Sequence, residues 1–219
     1  MQVEPTRHVF HEQLDAVCDR IAAMAKLVET AVEDSTTALL SGDARLAEQV
    51  ITADLEIDRM KLQLEEQIFE QLALQQPVAS DLRLLVGTLR MSADLERMGD
   101  LAGHVAKITR LRYPERAIPD AVKDTIAEMG SIARQMVRTT SEIVCTRDVR
   151  AAEELIGEDD RMDELRRSLF RRMLGPEWTH GVGAAVDLAL LGRYYERIAD
   201  HAVSMAQSVI YLVTGAKPR

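Results

Sequence analysis

Two copies of one short acidic motif, each inside a long stretch of helical periodicity, constrain the fold of this 219-residue chain. Leu95–Asp100 reads LERMGD and Tyr195–Asp200 reads YERIAD, so the glutamates Glu96 and Glu196 lie at equivalent places in the chain. Residues four apart share one face of a helix, which sets each glutamate above an aspartate. The recurrence predicts two related halves, each with an acidic pair on one of its helices.

The residues around the first motif predict where its acidic pair points. Steps of three and four residues lead back from Glu96 through an apolar series and forward to Asp100. Both acidic pairs are therefore expected to interrupt the core-facing stripe of their helices. A buried carboxylate needs a proton, an arginine or lysine, or a metal ion. The residues met along this stripe are Leu82, Leu85, Leu89, Ser92 and Gly103.

Composition favours a helical bundle. Hydrophobic residues make up 47% of the chain and charged residues 29%, whereas aromatic residues make up only 4%. There are also few turn formers, with 11 glycines and 6 prolines. Many small aliphatic and charged residues with few glycines and prolines are typical of an all-α protein.

Apolar periodicity predicts six long helices. Long helices joined by short connections pack as antiparallel neighbours. We therefore expect two tandem antiparallel three-helix bundles, the first in residues 1–112 and the second in residues 113–219. A linker with two prolines, residues 112–119, lies at their junction. The predicted helices span about 8–40, 43–74, 78–111, 119–145, 148–173 and 181–213.

The repeat extends beyond the opening motif. Asp43 and Asp148 stand at matching positions where helices begin, and aspartate is a good N-cap residue. Further along, a second acidic pair, Asp54 and Asp58, is matched by Asp159 and Asp163. The sequence thus predicts that each half is one copy of the same three-helix unit.

Four carboxylates in each half converge if the second and third helices of a bundle are neighbours. Oxygen ligands of this kind suit hard or intermediate cations, and helical bundles hold metals in this way. Pairing with arginines or exposure to water is the alternative. His104 continues the stripe of Glu96 and Asp100, either as a nitrogen ligand or in a surface role. The eight candidate metal ligands are Asp54, Asp58, Glu96, Asp100, Asp159, Asp163, Glu196 and Asp200.

Charge and the remaining motifs exclude several functions. The net charge of −9 argues against a nucleic-acid partner, which requires clustered cations. Cys18 and Cys145 lack metal-ligand spacing and are expected to be reduced residues of the core. The charged N-terminal region predicts no signal peptide, and no apolar run is long enough to insert into a membrane, so a cytoplasmic protein is expected. Nucleotide-binding, serine-hydrolase and zinc-protease signatures are missing, so we do not expect an enzyme.

The chain resembles the PhoU family of bacterial phosphate-signalling regulators along essentially its whole length. The resemblance begins with Arg7, Phe10 and Leu14, and it continues at the helix corner 74–83, which reads LQQPVASDLR. The segments ERMGD at 96–100 and ERIADHA at 196–202 resemble the two signatures of the family.

The resemblance implies two tandem three-helix bundles and a non-catalytic adaptor that negatively regulates the phosphate response. It implies a homodimer that links the ATPase subunit of the phosphate ABC transporter to a sensor histidine kinase and restrains phosphate uptake. It also implies metal ions (iron, manganese, zinc or magnesium) at the eight carboxylates named above. A carboxylate-bridged metalloenzyme or metal-storage bundle is the alternative function, and a helical scaffold without metal or kinase partner is a third.

Overall fold

The computed structural model describes the backbone of residues 4–216 and the side chains of residue 14 and residues 16–216. Within these residues every regular element is helical, including one turn of 3-10 helix at Asp120–Val122. The side chains of Arg7 and Phe10, which carry part of the resemblance, lie outside this description. The α-helices are α1 (Glu4–Ser41), α2 (Ala44–Gln75), α3 (Ala79–Arg112), α4 (Lys123–Thr146), α5 (Val149–Gly157), α6 (Asp159–Met173) and α7 (Gly181–Thr214).

An aspartate caps the N-terminus of the equivalent helix in each half. The Oδ1 atom of Asp43 accepts hydrogen bonds from the backbone amides of Arg45 and Leu46 at 2.9 and 3.0 Å. The Oδ1 atom of Asp148 accepts from the amides two and three residues further on, at 2.9 and 3.1 Å. Both aspartates therefore satisfy backbone donors that the first turn of a helix leaves free, as the sequence predicts.

The helix predicted for residues 148–173 consists of two segments, α5 and α6, which meet at Glu158. Gly157 ends the first segment, and glycine is a poor residue for a helix interior. Asp159 and Asp160 then lie in the first turn of the second segment, where the helix dipole favours negative charge. No proline marks this break, which is why the periodicity alone predicts one helix.

Each half forms a three-helix bundle, and the two bundles also pack against one another. In the first half α1, α2 and α3 are mutual neighbours, while in the second α5 and α6 pack beside α4 and α7. Across the halves α1 packs against α4, and α3 packs against α7. The all-α prediction with a duplicated three-helix unit is confirmed. The division into domains 1–112 and 113–219 stays a prediction.

These contacts make α1, α3, α7 and α4 a central ring, with α2 on one side and α5–α6 on the other. Tyr195 of α7 is fully buried within the ring, and its hydroxyl lies 2.9 Å from the Oγ1 atom of Thr36 on α1. Gly130 of α4 faces the same threonine, since a β-carbon there would overlap its Cγ2 atom. Three helices thus approach closely at one point, which joins the two halves in a single hydrophobic core.

Of the two cysteines, Cys18 packs against the edge of the core, whereas Cys145 lies at the surface, so the expectation that both fill the core is wrong for Cys145. Cys145 is exposed and Cys18 is half-buried, and both line a shallow pocket with Arg147. They lie at the edge of the contact between α1 and α4, outside its apolar centre. Among the described helices, none has the length and hydropathy of a membrane span.

Candidate functional site

The four acidic residues of the first half meet where α2 packs against α3. Asp54 of α2 lies over two glycines of α3 that leave room for its carboxylate. A β-carbon at Gly99 would lie 2.9 Å from its Oδ1 atom, and a β-carbon at Gly103 would lie 3.7 Å from its Oδ2 atom. Any larger residue at position 99 would push this carboxylate away from α3.

The environment of Asp54 favours its protonated form. Burial, followed by the negative charges of Asp100 and Asp58, raises the pKa of Asp54 from 3.8 to about 6. Glu96 acts in the same direction, and Lys107 opposes the shift. A carboxylate loses hydration on burial, and like charges nearby further destabilise its ionised form. The four carboxylates that the sequence places together in this half are therefore electrostatically coupled.

Cations compensate the acidic pair of α3. The Nζ atom of Lys61 on α2 donates to Oε1 of Glu96 at 3.2 Å. Arg97 places its Nε atom 3.6 Å from the other oxygen of Glu96, and its guanidinium donates to Asp100 at 3.2 Å. Arg97 follows Glu96 directly in the sequence, yet its long side chain reaches back to both members of the pair.

The second half repeats this arrangement with arginines in place of lysine. Arg166 of α6 lies 3.2 Å from Glu196, which also accepts a hydrogen bond from Arg193 on its own helix. Arg167 donates to Asp163 at 2.8 Å. Both glutamates of the two motifs thus form ion pairs with the neighbouring helix and with their own helix.

The second cluster lacks the notch that receives Asp54 in the first. Alanine and valine occupy positions 199 and 203, where the first half has glycines. Burial and then the charge of Asp200 raise the pKa of Asp159, while burial and then Glu196 raise the pKa of Asp200. Both clusters therefore contain aspartates with raised pKa values, but only the first has a notch that receives one of them.

The expectation that both acidic pairs interrupt the buried stripe is wrong. The side chain of Glu96 is 18% exposed and that of Glu196 is 12% exposed, whereas Asp200 is an exposed residue. The fully buried residues are neighbours of the pairs, such as Met98 and Ile198. Because α3 and α7 pack against helices on two sides, their apolar faces are broad, and the acidic pairs lie along the edges of these faces.

The carboxylates as placed do not form a metal site. Among the described residues, no group of three or more His, Cys, Asp and Glu side chains could hold a metal ion. The ion pairs of Glu96 and Glu196 correspond to the alternative of arginine or lysine compensation. Asp54 and its notch are the feature nearest to a ligand position, because this carboxylate is recessed, coupled to others and without a hydrogen-bonded cation among the described residues. Metal binding by the eight carboxylates stays a prediction.

His104 and His201 each contact a residue of the other half. The His104 ring lies 5.3 Å from that of Tyr194 on α7, in a surface role. Asp94 of α3 accepts a hydrogen bond from Ser204 at 3.0 Å and lies 2.9 Å from Nδ1 of His201. The contacts of Asp94 were not predicted, since nothing in the local sequence pattern indicates that α3 packs against α7.

An ion pair between a half-exposed arginine and a buried aspartate also joins α3 to α7, and it was not predicted from the sequence. The guanidinium of Arg112 donates to both carboxylate oxygens of Asp187 at 2.6 and 3.0 Å. Asp187 is 5% exposed, so almost all of its hydration is replaced by this bidentate contact. An aspartate in the otherwise apolar run that opens α7 is the only sequence signal of this contact.

Comparison with known proteins agrees with this architecture. The PhoU domain family matches residues 21–109 and 126–209, one match in each half. The phosphate-specific transport system accessory protein PhoU homolog 2 of Mycobacterium tuberculosis strain H37Rv is 47% identical over 212 residues, covering 97% of this chain and 100% of the relative. The corresponding PhoU homolog of Rhizobium meliloti strain 1021 is 32% identical, covering 96% of this chain and 89% of its own.

Two crystal structures have the same fold. PhoU from Pseudomonas aeruginosa has a TM-score of 0.84 at 31% identity, covering 94% of this chain and 100% of that chain. The phosphate transport system regulatory protein PhoU from Streptococcus pneumoniae has a TM-score of 0.88 at 23% identity, covering 96% and 99%. With one family match in each three-helix half and relatives aligned along nearly its whole length, this chain belongs to the PhoU family.

Proposed function

We propose that this protein regulates phosphate uptake and phosphate-starvation signalling. It is proposed to act in the cytoplasm as a non-catalytic adaptor between the ATPase subunit of the phosphate ABC transporter and a sensor histidine kinase, which it keeps inactive when phosphate is plentiful. The observation that carries the proposal is the 47% identity, along 97% of this chain, to a protein named a phosphate-specific transport system accessory protein. Both repeats are included in that alignment, so the similarity is not confined to one half.

The duplicated architecture supports an adaptor. Each half presents a helix or helix pair on the outside of the central ring, α2 in the first half and α5–α6 in the second. These related surfaces differ in shape, because the first is one continuous helix and the second is broken at Glu158. Two related but unequal surfaces on one shared core suit a protein that contacts two different partners.

A pull-down from cells grown in high phosphate tests the adaptor. Tagged full-length protein at its native level is recovered, after mild cross-linking, from the cytosolic and membrane fractions. We expect the transporter ATPase subunit and the sensor kinase to be enriched, and an excess of untagged protein to compete with their recovery. Recovery of neither protein above the competed background would contradict the proposal.

We include a homodimer in the proposal. Three large apolar residues, Leu55, Leu62 and Phe69, are 68%, 64% and 59% exposed on α2. They recur every seven residues, which is the spacing of a seam between two packed helices. The proposed contact pairs α2 of one copy with α2 of another, and a twofold axis makes such a contact self-complementary.

The alternative, a carboxylate-bridged metalloenzyme or metal-storage bundle, has less support. Its ligands would be the same eight carboxylates. Among the described residues, these do not form a group of three or more that could hold a metal ion. Metal analysis after purification without chelator, followed by an oxygen-reactivity assay, separates the functions. Bound iron, manganese, zinc or magnesium without turnover agrees with a metal-binding regulator, whereas redox turnover would favour the metalloenzyme.

A further inference from the structure

A groove of about 750 Å³ runs between α3 and α7, away from both acidic clusters. Its volume is in the range that is usual for small-molecule sites. Apolar side chains, including Leu82 and Val86, form much of its wall, and Arg83 and Arg90 add two positive charges. The groove therefore combines an apolar surface with cations, although the whole chain is acidic.

The two arginines lie on the same face of α3. They are seven residues apart, so their Cα atoms are separated by about 10 Å along the helix axis. Both line the groove, and neither has a carboxylate partner within 4 Å among the described residues. Two long guanidinium side chains at this spacing can approach one ligand from its two ends.

A buried donor in this groove has no acceptor. The Nε atom of Arg83 is shielded from solvent and makes no hydrogen bond. A buried donor without a partner is destabilising, and native proteins rarely leave one. The protein thus provides no acceptor for this guanidinium, and an anionic oxygen in the groove would meet a cation of its lining that no carboxylate of the described residues neutralises.

At the equivalent place in the other half of the repeat, an arginine is paired with a carboxylate. Gly87 packs closely against Leu212 beside the groove, since a β-carbon there would lie 2.8 Å from Cδ2 of that leucine. The two halves are offset by 100 residues, so Gly87 corresponds to Asp187 and Leu212 corresponds to Arg112. Asp187 and Arg112 form the bidentate ion pair. The chain thus provides its own carboxylate to an arginine at one end of the α3–α7 contact. At the other end both members of that pair are replaced, by Gly87 and Leu212, so no carboxylate equivalent to Asp187 lies near the groove arginines Arg83 and Arg90.

The opposite wall of the groove provides neutral donors. Gln207, Ser208 and Tyr211 of α7 line it, with an amide and two hydroxyl groups. The one carboxylate in the lining, Asp94, lies 2.9 Å from the Nδ1 atom of His201 and accepts from Ser204 at 3.0 Å. Both of its oxygens thus face α7, and no ion pair joins Asp94 to Arg83 or Arg90 among the described residues.

We propose that this groove binds a small phosphate-bearing molecule. A phosphate carries up to two charges and three acceptor oxygens, which match two guanidinium groups and the neutral donors better than a single carboxylate does. The apolar wall then contacts the organic part of the ligand. The proposal does not depend on the contacts with transporter or kinase, and it concerns a surface separate from the acidic clusters.

Calorimetric titration of the full-length protein at constant ionic strength tests the site. Phenyl phosphate, inorganic phosphate and benzoate are the three probes. We expect saturable one-to-one binding of phenyl phosphate and weaker or no binding of benzoate. Tighter binding of phenyl phosphate than of inorganic phosphate identifies an organic phosphate as the ligand, and equal affinities identify free phosphate.

Three variants locate the binding. Arg83→Gln and Arg90→Gln should each weaken phenyl phosphate binding about ten- to hundredfold, the effect of losing one charged hydrogen bond. Arg45→Gln is the matched control, because it removes one exposed positive charge from α2 without touching the groove. Circular dichroism and thermal unfolding confirm that each variant is folded, and Arg90, an exposed residue, provides the test if Arg83→Gln is unstable.

A fourth variant supplies the missing acceptor from within the protein. Ser208→Glu places a carboxylate on the wall opposite the arginines, and it should raise the melting temperature while abolishing phenyl phosphate binding. The proposal is overturned if neither phosphate probe binds saturably, if Arg45→Gln weakens binding as much as Arg90→Gln, or if benzoate binds as tightly as phenyl phosphate. Binding of an acidic peptide alone would overturn it as well.

Discussion

The hydroxyl of Tyr195 on α7 donates a hydrogen bond to the Oγ1 atom of Thr36 on α1, across 2.9 Å and 159 positions of sequence. The direction follows from the threonine, whose own hydroxyl donates to the carbonyl of Val32 at 2.7 Å. Both residues are buried at the point where the two halves of the molecule meet. This contact joins the repeats through their common core.

Tyr195→Phe should destabilise the protein by about 1 kcal/mol, the usual net loss for one buried hydrogen bond. The cost stays moderate because Thr36 keeps its bond to the carbonyl of Val32. For a chain of this length the melting temperature should fall by about 2–4 °C. Calorimetry measures the change, and Tyr113→Phe, which alters an exposed tyrosine, should leave the melting temperature unchanged.

Gly130→Ala tests the close approach of α4 to the same threonine. The added β-carbon would overlap Cγ2 of Thr36, so the helices must separate. Overpacking costs about 1–3 kcal/mol, which exceeds the gain of about 1 kcal/mol that alanine brings to a helix. Urea unfolding measures the difference. Gly157→Ala is the matched control, since nothing lies within 4 Å of the β-carbon there, and equal effects of the two changes would contradict the packing described.

Two features of the fold could be predicted because local chemistry determines them. Asp43 and Asp148 cap helices through hydrogen bonds that span only two and three residues. The end of α2 is equally local, because Gln76 adopts a left-handed conformation directly before Pro77. Interactions between residues only a few positions apart can be recognised in the sequence.

The position of the acidic pairs could be predicted only in part. A helix packed on two sides has a broad apolar face. Steps of three and four residues from Glu96 pass through buried residues such as Leu85 and Ser92, yet the acidic pair itself is only partly buried. The contacts Thr36–Tyr195 and Arg112–Asp187 were not predictable, because they depend on which helices of the two halves become neighbours. The ion pairs of Glu196 with Arg166 and Arg193 depend similarly on the packing of α6 against α7.

Asp54 should make stability fall as pH rises through the weakly acid range. Its pKa is raised from 3.8 to about 6, so between these values the folded state binds more protons than the unfolded state. The free energy of unfolding should therefore decrease from about pH 4 to pH 7, by about 1–2 kcal/mol after allowance for solvent screening.

Urea unfolding at a series of pH values measures this effect. Asp54→Asn should remove most of the decrease and stabilise the protein at pH 7, whereas Glu70→Gln, on an exposed residue of the same helix, should leave it in place. Stability of the wild-type protein that increases over this range, with the same slope in Asp54→Asn, would contradict the recessed position of the carboxylate.

Arg112→Leu should destabilise the protein by about 3 kcal/mol, because it leaves the carboxylate of Asp187 buried without its partner. The double variant Arg112→Leu with Asp187→Gly recreates the Gly87–Leu212 contact of the opposite end. It should be more stable than the single variant. If Asp187→Gly instead lowers the stability further, the two ends of the α3–α7 contact are not equivalent.

The proposed dimer predicts that Leu62→Glu gives a monomer at micromolar concentration. The change places a charge at the centre of the exposed seam on α2, where it would be desolvated in the dimer. Light scattering after size exclusion measures the mass. Leu174→Glu, at an 84% exposed leucine outside α2, should keep the mass of a dimer. A wild-type protein that is already monomeric would exclude this part of the proposal.

The proposed regulatory function is tested most directly by deleting the gene and measuring alkaline phosphatase activity and phosphate uptake in high phosphate. The account predicts that both rise in the deletion strain and return to their original level when the full-length protein is restored. Unchanged phosphatase activity and unchanged uptake, in a strain without another member of this family, would contradict it.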